Sequence, residues 1–125
     1  MSEAPLIRRR ILIVEDDWVV AEETARTLSR LGAVVVGPAA TLAEAMALVS
    51  SSKTLHGAIL DINLRGERVY PLVDVLKGKG VFQVFLTGYD GEAIPVPYRT
   101  VPRLQKPVAP SRLVTLLDGL YGAPV

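Results

Sequence analysis

Hydrophobic residues along the chain gather in short runs of strand length, and longer stretches with a helical period lie between them. Ile11 to Val14 is the first run, ended by acids. Val34 to Val36 is the second, stopped by Gly37-Pro38. Ala58 to Ile62 is the third, interrupted by Asp61. Val81 to Leu86 is the fourth, stopped by Thr87-Gly88, and Val101 to Leu104 is a weaker fifth. Runs that are apolar on both faces point to strands buried in a parallel sheet.

The intervening stretches read as helices. Asp17 to Leu31 places Val20, Thr24, Leu28 and Leu31 on one stripe, and Gly32 ends it. Thr41 to Ser51 opens with Thr41-x-x-Glu44, a capping-box pattern, and its stripe is Leu42, Ala45, Met46 and Val49. Val69 to Lys77 is a third helix, with proline in its first turn after Tyr70 and Gly78 closing it. Ser111 to Leu120 is the last, with Leu113, Leu116, Leu117 and Leu120 turned inward. Strands alternating with helices require parallel pairing and right-handed crossovers. The expected fold is therefore an α/β, doubly wound, five-stranded parallel sheet with helices on both faces. Functional groups in such sheets gather beyond the carboxyl ends of the strands.

The polar residues at those ends are few and specific. The first strand ends in Glu15-Asp16-Asp17, the third in Asp61 with Asn63 two residues on, the fourth in Thr87-Gly88. The fifth is followed by Lys106-Pro107. Clustered carboxylates need a cation or a shared proton. All-oxygen donors favour a hard ion, Mg²⁺ above others. Lys106 adds a movable positive charge, Thr87 a hydroxyl donor, and Gly88 an accessible backbone. Together they are the parts for phosphoryl transfer onto a carboxylate. Each has a plainer reading. Asp17 reads as an acid decorating a helix N-terminus, Thr87 as a strand-end residue and Lys106 as a solvated loop lysine. A lone Asp61 at the tip of an apolar strand is harder to dismiss, because burying an unpaired carboxylate costs several kcal/mol.

Bulk properties remove other classes. The 125 residues suit one domain, and half of them are apolar, enough for a core without a staple. There is no cysteine, hence neither disulfide nor thiolate metal site. A net charge of +1 does not indicate a nucleic-acid face. No apolar run approaches the ~20 residues of a membrane span, and Met1 to Arg10 lacks a signal-peptide core. Arg8-Arg9-Arg10 reads as a solvated lead-in. A cytoplasmic protein without membrane or nucleic-acid partners is the expectation.

Ile11-Leu-Ile-Val-Glu15-Asp16-Asp17, Leu60-Asp61-Ile62-Asn63, Phe85-Leu86-Thr87-Gly88 and Lys106-Pro107 together resemble the receiver domain of response regulators, over residues 11 to about 120. The resemblance implies a flavodoxin-like receiver fold at 11–121, a lead-in at 1–10 and a tail at 122–125. It implies Asp61 as phospho-acceptor. Mg²⁺ would be held directly by Asp16 and Asp61, through water by Glu15, and by the backbone carbonyl of Asn63. Thr87 would be the switch hydroxyl, and Lys106 the site lysine, with a cis bond to Pro107. The implied partner is a histidine kinase or histidine phosphotransferase, in a two-component phosphorelay. The protein would phosphorylate and dephosphorylate itself without being a conventional enzyme, as a monomer or a phosphorylation-dependent dimer. Asp61-Ile62-Asn63-Leu64-Arg65-Gly66 and Leu86-Thr87-Gly88-Tyr89 also resemble stand-alone alphaproteobacterial receivers with an FATGY-like motif, associated with HWE-type kinases. Two other readings are a docking pseudo-receiver and an aspartyl-phosphate phosphatase. The complete acid–Asp–Thr–Lys set weighs against the first, and Asn63 in place of a second acid against the other.

Two departures matter. Receivers usually carry Tyr or Phe three before the lysine, where this chain has Arg103, so a ring swing is impossible; the FATGY-like group also tends to lack the ring. Gly88 to Thr100 contains Pro95 and Pro97, so the fourth helix is expected to be short or irregular, and ordering of Tyr89 to Tyr98 on phosphorylation is one conceivable switch. Tyr89, overhanging the site, is a candidate gate or substitute switch. His56 reads as an exposed loop residue, and Trp18 as a partly exposed reporter.

Overall fold

The structure is a computed structural model that describes residues 6–88 and 93–121. In chain order its elements are β1 (Arg10–Val14), α1 (Trp18–Arg30), β2 (Val34–Ala39), α2 (Leu42–Ser51), β3 (Gly57–Asp61), β4 (Asn63–Leu64), β5 (Glu67–Arg68), α3 (Tyr70–Gly78), β6 (Phe82–Thr87), a single 3₁₀ turn (Val96–Tyr98), β7 (Arg103–Gln105) and α4 (Pro110–Tyr121). The main sheet has five parallel strands in the order β2-β1-β3-β6-β7. This is the doubly wound sheet that the alternation predicts.

Strand alternation splits the core in two. Leu12, Val14, Ala58, Leu60 and Phe85 point to the face covered by α2 and α3. Ile11, Ile13, Ile59, Val84 and Leu86 point to the face covered by α1 and α4, where Leu28, Leu113 and Leu117 meet them. Burying one such side chain stabilises the fold by about 1.5–3 kcal/mol before its entropy cost. Gln83 breaks the pattern inside β6. It is buried on the α3 side, and its amide donates to the Val73 carbonyl at 3.2 Å.

The caps follow the sequence closely. Asp17 is the N-cap of α1, accepting from the N–H groups of Val19 and Val20 at 2.9 and 3.2 Å. Thr41 caps α2 through the Glu44 N–H at 3.1 Å and meets the Glu44 carboxylate at 3.2 Å. The third helix takes in Gly78 as its last residue instead of stopping before it, and Lys79 is the C-cap. The left-handed residue that follows is Gly80, φ +70°.

Four features depart from the expected pattern. First, β2 continues through Gly37-Pro38. The pairing slips from Leu12↔Val36 to Val14↔Ala39, so the two residues form a bulge in the strand. Gly37 has φ +94°, and a Cβ there would lie 2.9 Å from both Ala39 N and Ile13 O. Second, a short antiparallel hairpin, β4-β5, follows β3, with Arg65 and Gly66 at its turn, φ +55° and +92°. Two successive positive φ values suit the twist of a two-residue hairpin loop. A non-glycine residue held there stores roughly 1 kcal/mol or more of strain. Third, the lead-in is anchored. Leu6 is fully buried and its N–H donates to Leu31 O at 2.9 Å. Fourth, His56 is half-buried and its Nδ1 accepts the N–H of Arg10 at 2.9 Å, closing the start of β1. It is not the exposed loop residue expected.

Between β6 and β7 a single 3₁₀ turn stands where a fourth helix would, preceded by Pro95, as the prolines predict. Ile94 before it is buried. Tyr98 stacks on Tyr70 with ring centroids 4.6 Å apart, and Tyr70 meets Phe85 edge-on at 6.2 Å. An ordering switch over Tyr89 to Tyr98 would thus start with Ile94 and Tyr98 already packed and Pro95, Val96 and Pro97 exposed. The expected inward-facing Leu120 lies outside the described side chains.

Gly37→Ala is expected to lower unfolding free energy by about 1–3 kcal/mol, from the positive φ and the backbone clash. Urea unfolding measures this, and an unchanged midpoint would show that the bulge can relax.

Candidate functional site

Strand order assembles the polar ends. β1 lies beside β3, with Val14 opposite Leu60, so Glu15 and Asp16 emerge next to Asp61. β6 lies on the other side of β3, with Leu86 opposite Asp61, and β7 follows with Gln105 opposite Thr87. The N–H of Lys106 donates to the carbonyl of Thr87 at 2.8 Å, which fixes where the lysine leaves the sheet.

The result is a compact cluster. One ligand atom each from Glu15, Asp16 and Asp61 lies within 4.8 Å of the others. The Lys106 ammonium sits 2.7 Å from Glu15 Oε1 and 3.1 Å from Asp61 Oδ2. Glu15 and Asp61 are buried, at 2% and 6% exposure. Backbone donors set the carboxylates. The Asp17 N–H reaches Glu15 Oε2 at 3.0 Å, and the Asn63 N–H reaches Asp61 Oδ1 at 3.2 Å. The Asn63 side chain is spent on the hairpin, accepting the Gly66 N–H at 2.7 Å. Only its backbone could serve a ligand.

Three carboxyls face one ammonium, so the cluster is short of positive charge. Burial, with Asp61 adding to it, pushes the Glu15 carboxyl up to about 8, against the opposing pull of Lys106 and the Asp17 N–H. Asp16 goes the other way. Its partial burial would raise it, but hydrogen bonding with Asp61 and Glu15 holds it below the ordinary aspartate value. Burial would lower Lys106, yet Glu15 and Asp61 together hold it above the ordinary lysine value.

A divalent cation fits this cluster chemically. The donors are all carboxylate oxygens, the set a hard ion prefers. The Lys106–Glu15 contact is an ion pair whose geometry falls short of a hydrogen bond, and Oε1 of Glu15 is buried without a hydrogen-bond donor.

The remaining candidates are placed less tightly. The Thr87 hydroxyl is buried and makes only a long contact, 3.5 Å, to Leu104 O. Arg103 lies on β7, opposite Phe85 and exposed. Tyr89 lies outside the described residues. Asp17 serves the helix end, consistent with its plainer reading. Trp18 is 75% exposed at the start of α1. Sequence reasoning missed two things. One is the Tyr70–Tyr98 stack, whose partners are 28 positions apart. The other is a cavity of about 530 Å³ beside the cluster, lined by Glu15, Asp16, Trp18, Pro38 and Arg65 among others. The Arg65-Gly66 pair, with glycine at its second position, was the available turn signal. Among the described residues no helix is long and apolar enough to cross a membrane.

Comparison with solved structures gives strong matches. The chain is 35% identical to SdrG from Sphingomonas melonis Fr1, over 96% of this chain and 98% of that one, with a TM-score of 0.79. It is 33% identical to SdrG from Pseudomonas melonis Fr1, solved in a BeF3-activated conformation, over 97% and 99%, with a TM-score of 0.75. A CheY-like response regulator receiver domain protein from Methanospirillum hungatei JF-1 is 19% identical over 90% and 94%, with a TM-score of 0.74, a likeness of fold. No protein-family model and no curated protein matches the sequence.

The raised Glu15 carboxyl has a signed consequence in metal-free protein. The folded state binds a proton that the unfolded state releases near 4.5, so stability contributed by this group is full below about 4.5. It declines as pH rises toward about 8. Glu15→Gln is expected to flatten that decline in urea-unfolding free energies collected with a chelator from pH 4.5 to 8.5. Parallel curves for the two proteins would contradict the assignment.

Proposed function

The chain belongs to the receiver domains of response regulators, and on that premise we propose that Asp61 accepts a phosphoryl group from a partner histidine kinase or histidine phosphotransferase. The observation that carries this reading is the Lys106 ammonium held between Glu15 and Asp61, beside Asp16.

In the transfer, an oxygen of Asp61 bonds to phosphorus, the phosphorus–nitrogen bond of the donor histidine breaks, and its electron pair stays on the imidazole. Asp16 and Asp61 would hold Mg²⁺ directly, Glu15 through water, and Asn63 by its backbone carbonyl. The ion, when bound, offsets the charge of the phosphoryl oxygens. Lys106 already neutralises Asp61, and can move its charge to the incoming group. Thr87 has only a weak contact to give up, so its hydroxyl is free to turn toward a phosphoryl oxygen. Its carbonyl is tied to Lys106, so the two respond together.

Output without a ring at Arg103 needs another route. Phe85, two residues before Thr87, touches Tyr70, and Tyr70 stacks on Tyr98 of the 3₁₀ turn. That path supports a signal read by protein contact near the turn. A phosphate shuttle or sink is the other role for such a domain. We assign the receiver unit to 11–121 and place it in the cytoplasm, with an HWE-type kinase as donor and phosphorylation-dependent dimerisation as an open state.

Acetyl phosphate with Mg²⁺ is expected to add one phosphoryl mass, and beryllofluoride to change Trp18 fluorescence. Asp61→Asn should abolish both responses, and Lys106→Ala should slow phosphorylation roughly 100-fold. A native protein that neither gains the adduct nor responds to Mg²⁺ would overturn this reading, and an adduct in Asp61→Asn would mean a different nucleophile.

A further inference from the structure

The cavity beside the acid cluster has one basic residue on its wall, Arg65. Among the described residues Arg65 makes no hydrogen bond or ion pair, although Glu15 and Asp16 line the same cavity. Lys106, by contrast, is committed to Glu15 and Asp61. Asp61 does not line this cavity, but Glu15 and Asp16, which cluster with it, do, so a free guanidinium on this wall lies beside the cluster that holds Asp61. A phosphodonor brings negative charge toward an already negative cluster, and a cation on the path offsets that repulsion. Guanidinium is also the group whose planar fork matches phosphate oxygens in pairs.

The backbone says that Arg65 is held there. Its φ of +55° is uncommon for a residue with a side chain. Strain of this kind persists where the surroundings over-determine it, and it gathers at functional sites. Here the surroundings are the site itself. Asn63 donates its N–H to Asp61 Oδ1, and its side chain receives the Gly66 N–H. Val69 N–H then returns to Ile62 O at 2.9 Å. The hairpin tip is thus fastened to the nucleophile through one residue, Asn63. A glycine at 65 would make the turn without strain, but it would put no charge on the cavity wall.

We propose that Arg65 is a positioning residue for the phosphodonor, its guanidinium pairing with oxygens of the incoming phosphoryl group on the cavity side of the acid cluster. The proposal rests on the receiver reading above and adds to it a determinant of donor capture. With acetyl phosphate, an Asp61 oxygen forms the new bond to phosphorus, the phosphorus–oxygen bond to acetate breaks, and its electron pair leaves on acetate. Arg65 exchanges no proton. It contributes before the transfer, so it acts on KM more than on kcat.

Three variants separate the charge from the turn. Arg65→Gly removes the guanidinium and relieves the backbone, Arg65→Ala removes it and keeps the strain, and Arg65→Lys keeps a charge without the fork. Phosphorylation of the full chain by acetyl phosphate with saturating Mg²⁺ is followed by intact mass across donor concentration and ionic strength. Arg65→Gly should melt no lower than the native protein yet raise KM roughly tenfold, with kcat changed little. Arg65→Ala should show the same KM rise, Arg65→Lys a partial one, and the rate in both neutral variants should fall less steeply with salt. An unchanged KM in Arg65→Gly, or a defect confined to Arg65→Ala, would overturn the proposal while leaving Asp61 chemistry intact. No adduct in the native protein would overturn the receiver reading and this proposal with it.

Discussion

The Lys106 ammonium, lodged between the Glu15 and Asp61 carboxylates, is the contact on which the rest of the site depends. It joins the end of β1, the end of β3 and the segment after β7, which are distant in the chain. Such a pair is a poor source of stability. Taking the ions out of water costs several kcal/mol each, and their attraction repays this only with good geometry. The cluster also remains short of positive charge, with three carboxyls facing one ammonium, and burial raises the Glu15 carboxyl. A lone Asp61 could be buried beside one lysine comfortably. Glu15 and Asp16 make the site strained in its charge and receptive to a further cation.

The sheet bears that strain. The interiors of β1, β3 and, Gln83 apart, β6 are apolar on both faces and packed under helices, so the hydrophobic effect fixes the central strands whatever happens at their tips. Polar groups are then free to be chosen for chemistry, because the fold does not need them. The exceptions lie at the edges. Gly37 permits the bulge that lets Ala39 O receive the Glu15 N–H at 2.9 Å. Asn63 ties Asp61 to the hairpin beyond it. Gly37 acts through the backbone and Asn63 through its N–H and its side-chain oxygen, and both act on an acid of the cluster.

The region after β6 is built differently. Prolines exclude a regular helix there, and a 3₁₀ turn with a tyrosine stack takes its place. Tyr98 also donates its hydroxyl to Asp74 on α3, at 3.1 Å from each carboxylate oxygen. Aromatic contact therefore runs from Phe85 in the sheet through Tyr70 to the turn, on the α3 side. Arg103 faces solvent on β7 and takes no part in that path.

Much of this was determined by the sequence alone. The period of the apolar residues marks the five strands of the main sheet and four helices, because burial on both strand faces and on one helix stripe leaves that imprint; the short β4-β5 hairpin leaves none. Asp61 is visible for the same reason, as a polar group where burial makes polarity costly; Glu15, Asp16, Thr87 and Lys106 are legible through their conjunction at the strand ends. Capping by Asp17 and Thr41 is local and equally legible. Tertiary structure decided what depends on distance between remote positions. The orientation of the Thr87 hydroxyl toward Leu104, the Tyr70–Tyr98 stack and the capture of the Arg10 N–H by His56 are set by strand order and register. The approach of Arg65 to the acid cluster belongs with them, since a turn dipeptide shows that the chain reverses but not which cavity its tip will face.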